Sequence, residues 1–390
     1  MTVSAVEAPP AGADAVAGMI PFTVASRPQK RYANVQTVSN LAGSGSFQVV
    51  QLAASGWVRK ISMLFSQSVT SASAGAVVAG DGPFNLIRAV TLTDATGQPV
   101  VQPISGYNLF LVNCFFSSGS VATNTNRPFE NPVLGPEYAF ASTSTTGTAT
   151  FRLDLDFEID SGSGYGCIPN LDSNASLQLR VDYDVYSVAF SGTTVSAATL
   201  SMRVSQEYWA PIGSSLGGVA VSNSPLGAGD YVETRYETQT VSASAENLVT
   251  LTNRGGLIKG MLLISRAAGV RTAITAASNV GTLLDNQPIN EGIPVEEHYD
   301  QMRRAYGYLG ADFTTSYAPL TAGVLPGLHR GVVPIVFDPL SGGRDSWLPT
   351  RAGSLLQVKV TPGASATTLE IVTQLAQVKN PAAFYTKGGE

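Results

Sequence analysis

FEIDSGSGYGCIPN, Phe157 to Asn170, lies over FDPLSGGRDSWLPT, Phe337 to Thr350, at a shift of 180 residues. Phe157, Ser161, Gly162 and Pro169 then fall on Phe337, Ser341, Gly342 and Pro349. A shift of 179 puts LQLRV at Leu177 to Val181 on LQVKV at Leu356 to Val360. A shift of 199 puts Val50, Leu52, Gly56 and Lys60 on Val249, Leu251, Gly255 and Lys259. The matches keep one order in both halves, and a shift that shortens along the chain is what loops of unequal length produce. Ordered self-similarity of this kind predicts a duplicated structural unit.

The unit is β. FRLDLDFEID alternates strictly: Phe151, Leu153, Leu155, Phe157 and Ile159 are expected to face a core, and Arg152, Asp154, Asp156, Glu158 and Asp160 to face water. SLQLRVDYDV repeats the pattern with Leu177, Leu179, Val181, Tyr183 and Val185 inward. Further period-two stretches include FQVVQLA, KISMLFS, RAVTLTD, TLSMRVSQEY, ETQTVSA, NLVTLTN, KGMLLIS, VVPIVFD, LLQVKVTP and TLEIVTQ, separated by Gly, Ser, Asn and Pro. Each copy thus holds roughly eight short strands, which suits a jelly-roll sandwich better than an immunoglobulin module. The expected fold class is all-β: two tandem eight-stranded jelly-roll sandwiches with short helices in loops. The expected divisions are an Ala-, Pro- and Gly-rich arm over 1–31, a first sandwich over 32–210, a linker over 211–230, and a second sandwich with a C-terminal tail over 231–390. The linker also carries Ile212, Leu216, Val219, Val221 and Leu226, which favours sandwiches stacked side by side over flexible tethering.

Two segments break the alternation. GYNLFLVNCFF from Gly106 reads equally as helical turns or as an apolar strand. PVEEHYDQMRRAYGYL from Pro294 places Pro in the first turn, acids early and Arg303 and Arg304 late, as a helix dipole favours. Both occupy the same slot in their copies, which supports the duplication.

Composition narrows the function. Of 390 residues 13% are charged, about half the usual quarter, and the net charge is −5. That balance disfavours nucleic-acid binding, which needs a concentrated basic patch. No apolar run approaches the ~20 residues needed to cross a bilayer. Two cysteines, Cys114 and Cys167, build no disulfide framework, and the start MTVSAVEAPP lacks the pattern of a secretory signal, so folding in a cytosol is expected.

Catalytic constellations are sparse. With only His298 and His329, a multi-histidine metal site is excluded. Glu296, Glu297, His298 and Asp300 form the densest titratable cluster, but Glu296, Asp300, Arg303 and Arg304 at helical spacing read as a self-paired exposed face. GSSLG at Gly213 to Gly217 matches a hydrolase elbow around Ser215, yet it lies in the linker rather than between a buried strand and a helix. Gly162, Gly164 and Gly166 lack the following helix and Lys of a phosphate loop and read as a turn. The row Asp154, Asp156, Glu158 and Asp160 suits a hard cation such as calcium, but a solvated face compensated by Arg180 is the preferred reading. Asn174 with Ser176 forms a glycosylation sequon without a secretory context. RPQKR at Arg27 to Arg31 suits contact with phosphates or lipid head groups, but with three positive charges a solubilising arm is at least as well supported, and Trp57, Trp209 and Trp347 read as packing residues. No catalytic, cofactor-binding or metal-binding residue is assigned.

The stretch DGPFNLIRAVTLTDATGQPVVQPISGYNLFLVN, Asp81 to Asn113, resembles the double jelly-roll major capsid proteins of tailless, membrane-containing (tectivirus-like) phages, with adenovirus hexon as a distant relative. The residues that carry the likeness are Gly82, Pro83, Asn85, Leu86, Asp94, Ser105, Gly106, Tyr107, Val112 and Asn113. The resemblance implies that GYNLFLVN is helical and that the chain is a coat protein rather than an enzyme. It further implies homotrimers with a pseudo-hexagonal outline that tile an icosahedral virion shell around an internal membrane, meeting neighbouring capsomers and vertex proteins. The chain departs from the family in its Ala- and Gly-rich linker and in an arm with little helical amphipathicity, so the arm's membrane contact is left open. A quiet, weakly charged surface suits a subunit repeated at close quarters. Two other readings share the composition: a fibre, spike or adhesin of β-sandwich modules, which implies elongated particles, and a carbohydrate-active enzyme, which needs a facing carboxylate pair.

Overall fold

The computed structural model describes residues 20–377 apart from 40–45, 72–76, 79–80, 117–136, 139–145, 275–278, 299–330, 338–346 and shorter interruptions. In the first half a wide sheet runs β1 (Pro28–Tyr32), β13 (Val195–Trp209), β4 (Gly56–Ser71), β9 (Thr146–Asp156) and β8 (Glu137–Tyr138). β2 (Gln36–Ser39) also pairs with β13, and β10 (Ile168–Asn170) with β4. The narrow sheet runs β3 (Phe47–Gln51), β11 (Gln178–Tyr183), β6 (Ile87–Thr93) and β7 (Pro99–Ile104), and a small pair joins β5 (Val77–Val78) to β12 (Phe190–Ser191). A hairpin of β14 (Ser215–Leu216) and β15 (Val219–Ala220) leads to the second half.

There the wide sheet runs β16 (Tyr231–Thr240), β25 (Thr368–Gln377), β18 (Leu257–Ala267) and β19 (Val270–Arg271), with β22 (Val332–Val336) and β23 (Leu348–Pro349) also on β18. Its narrow sheet runs β17 (Asn247–Thr250), β24 (Leu356–Val360), β20 (Asn279–Leu284) and β21 (Gln287–Pro294). The two halves correspond strand for strand: β1 with β2 to β16, β3 to β17, β4 to β18, β6 to β20, β7 to β21, β9 to β22, β10 to β23, β11 to β24 and β13 to β25. Single hydrogen bonds repeat as well. The Leu52 N–H donates to the Leu177 carbonyl at 2.9 Å, and the Leu251 N–H to the Leu356 carbonyl at 2.8 Å. In each half, a four-stranded sheet packed on a wider one in this order is a jelly roll.

The inward rows explain why these segments are strands. Phe151, Leu153, Leu155, Phe157 and Ile159 are all buried, as are Leu177, Leu179, Val181 and Tyr183, while Val185 is half-buried. The outward row departs from expectation. Asp154 and Glu158 are 2% and 3% exposed rather than solvated, because cations from β4 follow them inward. Arg180 is not their partner: it lies in the narrow sheet and pairs with Asp182. Asp160 is outside the described residues.

The arm differs from its expected boundary. Pro28 to Arg31, assigned to the arm, belong to β1, which pairs with β13 in register and sets Lys30 3.2 Å from Glu207. Ahead of β1, the short helix α1 (Phe22–Ala25) buries Phe22 against Cys167 and Trp209. Ile20 bridges Val221 of the linker in parallel, so the described arm is fastened to the linker rather than free. GYNLFLVNCFF is the helix α2 (Gly106–Phe116), with all eleven residues buried. In the second copy, Val295, Glu297 and His298 have helical backbone; the rest of that expected helix lies outside the described residues.

Leu52 and Leu251 are 2% and 0% exposed at equivalent places. Leu52→Ala and Leu251→Ala should each destabilise the fold by about 2–5 kcal/mol, read as a fall in the denaturant midpoint. A large cost at one site with none at the other would contradict their equivalence.

Candidate functional site: the contact between the two sandwiches

α2 is positioned by its own first turn. Ser105 accepts the Asn108 N–H on its hydroxyl at 3.2 Å and the Leu109 N–H on its carbonyl at 2.9 Å, capping the helix start. Gly106 follows because a side chain there would meet the Phe84 carbonyl and Ile87. Phe110 stacks on Phe84 with ring centroids 3.9 Å apart. Asn113 then locks the helix to the edge of the wide sheet. Its Nδ2 donates to the Asp154 carbonyl at 2.7 Å, and its Oδ1 accepts the Asp154 N–H at 2.8 Å.

A helix buried all round needs a cover on its second side, and the second sandwich supplies it. Gly260 of β18 faces Phe116, so closely that a Cβ there would collide with the ring. By strand alternation Leu262, Ile264 and Arg266 share that face, with Gln374, Val372, Glu370 and Thr368 of β25 beside them. Leu262, Ile264 and Val372 are fully buried although they point away from their own sandwich core. Each such side chain contributes roughly 1.5–3 kcal/mol when covered. The continuous run Met261 to Ile264 therefore signals a strand buried on both faces, whereas KISMLFS alternates because Leu64, Ser66 and Ser68 remain exposed.

Polar groups fix the register of the contact. Lys259 donates to the Phe116 carbonyl at 2.7 Å and lies 5.5 Å from the centroid of the Trp347 ring. Arg266 meets Asp81 of the first sandwich at 2.7 Å and Glu370 of its own sheet at 2.7 Å, and Arg271 also reaches Asp81. Both guanidiniums stand over the Tyr107 ring, at 5.6 and 4.8 Å from its centroid. Burial would lower the Arg266 pKa; Asp81 and Glu370 outweigh it and raise it further. Buried pairs of this kind select one arrangement more than they add net stability.

A small cleft remains along the seam. It is lined by Val101, Leu109, Val112 and Asn113 on one side and by Val232, Thr234 and Gln374 on the other, with Asp154 and Asp156 at its wall. Lys60 reaches Asp154 at 2.9 Å and Asp156 at 3.2 Å, and Arg152 reaches Asp154 at 2.8 Å. Burial alone would raise the Asp154 carboxyl, but Lys60 and Arg152 hold it below the ordinary carboxylate range. The acidic row expected to suit a cation is thus neutralised by side chains, and no grouping able to hold a metal ion occurs among the described residues.

The other sequence candidates fall apart chemically. Gly162, Gly164 and Gly166 all have positive φ and form a turn whose Gly164 N–H donates to Glu158 at 2.6 Å. That carboxylate also meets Arg59 at 2.6 Å and accepts the Trp209 indole N–H at 3.3 Å. Ser215 is exposed on the two-residue strand β14, with no elbow geometry. His298 is turned inward, its Nε2 against the Pro334 carbonyl, while Glu297 is exposed; Glu296, Asp300, Arg303, Arg304, His329 and Asn174 lie outside the described residues. Trp57 and Trp209, distant in sequence, are cross-strand partners, with Trp57 packed against the cluster of Phe22, Cys167 and Trp209. Sequence reasoning missed Asp81, Arg266 and Arg271, which nothing in their local pattern marks.

No family model matches the sequence, and no curated relative does. Solved structures do match the fold. The crystal structure of the STIV MCP is similar with a TM-score of 0.60 at 13% identity, covering 92% of this chain and 99% of that one. The atomic structure of Sulfolobus Turreted Icosahedral Virus gives 0.59 at 13% identity, covering 92% of each chain. The quasi-atomic PBCV-1 virus capsid gives 0.52 at 12% identity, covering 90% of this chain and 94% of that one.

Two outcomes test the seam. Gly260→Leu should separate or misalign the sandwiches, seen as faster hydrogen exchange in α2 at unchanged exchange in β11 and β24; unaltered exchange in α2 would contradict the contact. Asp154 has a depressed folded-state pKa, so its stabilisation is full above the unfolded value near about 3.9 and disappears as pH falls through the folded value. Asp154→Asn should flatten the acid limb of the stability profile below about pH 4, measured by denaturant melts across pH. The fold that these observations and neighbours establish is the double jelly roll.

Proposed function

We propose that this chain is the major coat protein of an icosahedral virus, a structural protein rather than an enzyme, assembling as homotrimers into a shell around an internal membrane. The observation that carries the reading is the nature of the seam. α2, β7 and Asp81 of the first sandwich meet β16, β18 and β25 of the second. The surfaces differ, so the contact is heterologous, and a heterologous contact repeated between chains closes into a ring or runs on as a filament.

Among the described residues, one acceptor face and one donor edge remain unused. The acceptor is the outward face of β4 and β13, where Ser62, Leu64 and Ser66 occupy the places that Leu262, Ile264 and Arg266 hold in the second sandwich. The donor is the second sandwich's equivalent of β7 and the start of α2, namely β21 and Val295. Three chains joined this way give six similar lobes in a ring. The solved structures similar to this fold include an icosahedral virus and a virus capsid. Vertex proteins and the membrane are further partners on this reading, and with a net charge of −5 nucleic acid is not one.

The test is the mass and outline of the purified full-length protein by sedimentation and negative-stain microscopy. Compact particles of three chains with a hexagonal outline, persisting in moderate salt, are expected, since the seam is apolar and its charges are buried. Monomers, elongated rods, or trimers that fall apart in moderate salt would overturn the reading.

A further inference from the structure

We propose that the outward faces of the two narrow sheets, centred on Val49 with Arg180 and on Leu248 with Lys359, are the surfaces through which one trimer binds the next, so that the occupant is a second copy of this chain. The inference rests on the coat reading and goes beyond it by assigning the lateral contact to named residues.

Val49 and Leu248 are equivalent at the shift of 199, and Arg180 and Lys359 at the shift of 179. Each apolar residue stands directly opposite its cation in the ladder, Val49 against Arg180 and Leu248 against Lys359. The same pair, in the same register, thus survives on two copies whose loops have diverged. Core packing does not explain it: Val49 is 48% exposed and Leu248 56%. Phe47 beside Val49 is 54% exposed, with the Arg180 guanidinium 4.4 Å from its ring centroid.

Both residues also sit where bare apolar surface is hazardous. β3 and β17 are the outermost strands of their sheets. An exposed edge strand carrying Phe and Val invites uncontrolled pairing unless something covers it. A second copy suits the charges, because each face carries both signs. Arg180 pairs with Asp182 at 2.8 Å, and Lys359 with Glu246 at 2.8 Å. Pairs this exposed add little affinity, about 0–1 kcal/mol, and serve to orient the faces. The wide faces are already committed: the second sandwich's is covered by α2, and the first sandwich's is the acceptor in the ring. The narrow faces are left pointing outward from the trimer.

The test compares the full-length wild type with the double variant Val49→Asp and Leu248→Asp at high concentration, by sedimentation and by counting shells or hexagonal arrays in micrographs. Expected are trimers at wild-type yield with at least tenfold fewer assemblies. Assemblies at wild-type levels would overturn the inference, as would wild-type trimers that never associate further. If the aspartates prevent trimer recovery, Val49→Ser with Leu248→Ser is read by the same criterion. Hydrogen exchange of wild-type protein supplies an independent reading: amides of β3 and β17 should exchange at least tenfold more slowly in assemblies than in free trimers, and equal rates would overturn the assignment. Failure of the wild type to form trimers at all counts against the coat reading instead.

Discussion

The second sandwich has a wide sheet that is apolar on both faces, and burying its outer face is the constraint on which the architecture depends. A sandwich needs one apolar face per sheet. Leu262, Ile264 and Val372 form a second one, and exposed it would be a patch of the kind that soluble chains avoid. α2 answers it with eleven buried residues, which is possible only because the helix has protein on both sides. The absence of a side chain at Gly260 lets Phe116 close the gap. Ile159 and Tyr165 of the first sandwich share a second buried cluster with Val232, Leu257, Trp347 and Ala376, so the rolls are held at more than one point.

Apolar area supplies the attraction in that seam, and charge supplies its geometry. Asp81 and Glu370 flank Arg266, Tyr107 lies beneath both arginines, and Lys60 and Arg152 compensate the row on β9. A displaced register would leave buried charges unpaired, at a cost of several kcal/mol. The outside of the molecule is built differently. The corresponding wide face of the first sandwich carries Ser62, Leu64, Ser66 and Ser68 on β4, with Arg203 of β13 and Arg152 of β9 on either side of Leu64. The contrast between two copies of one unit records their different neighbours: one face filled within the chain, the other available between chains.

Much of the fold was legible because strand alternation and the shifted repeat are both consequences of burial. The apolar residues of Phe151 to Ile159 and Leu177 to Tyr183 point inward as their spacing requires, and the ordered matches of Val50 with Val249 and of Pro169 with Pro349 fall on equivalent strands. What could not be read was any burial that depends on a distant partner. Asp154 and Glu158 look solvated in sequence and are buried because Lys60 and Arg59, about ninety residues away, neutralise them. GYNLFLVNCFF was ambiguous because a helix covered on both sides loses its amphipathic signature. The run Met261 to Ile264 did carry a signal, since an unbroken apolar strand implies cover on both faces, but its partner helix is about 150 residues earlier. Arg266, Arg271 and Asp81 are scattered and acquire meaning only once the seam brings them together.

The most direct measurement of the central claim, that one heterologous seam is used both within and between chains, is a cryo-electron microscopy map of the assembled protein. Expected is the second sandwich of one chain, through β21 and Val295, seated on the Ser62 and Leu64 face of the next, in the manner of α2 on Leu262 and Ile264. A map in which that face lies open to solvent, or meets its own counterpart across a twofold axis, would contradict it.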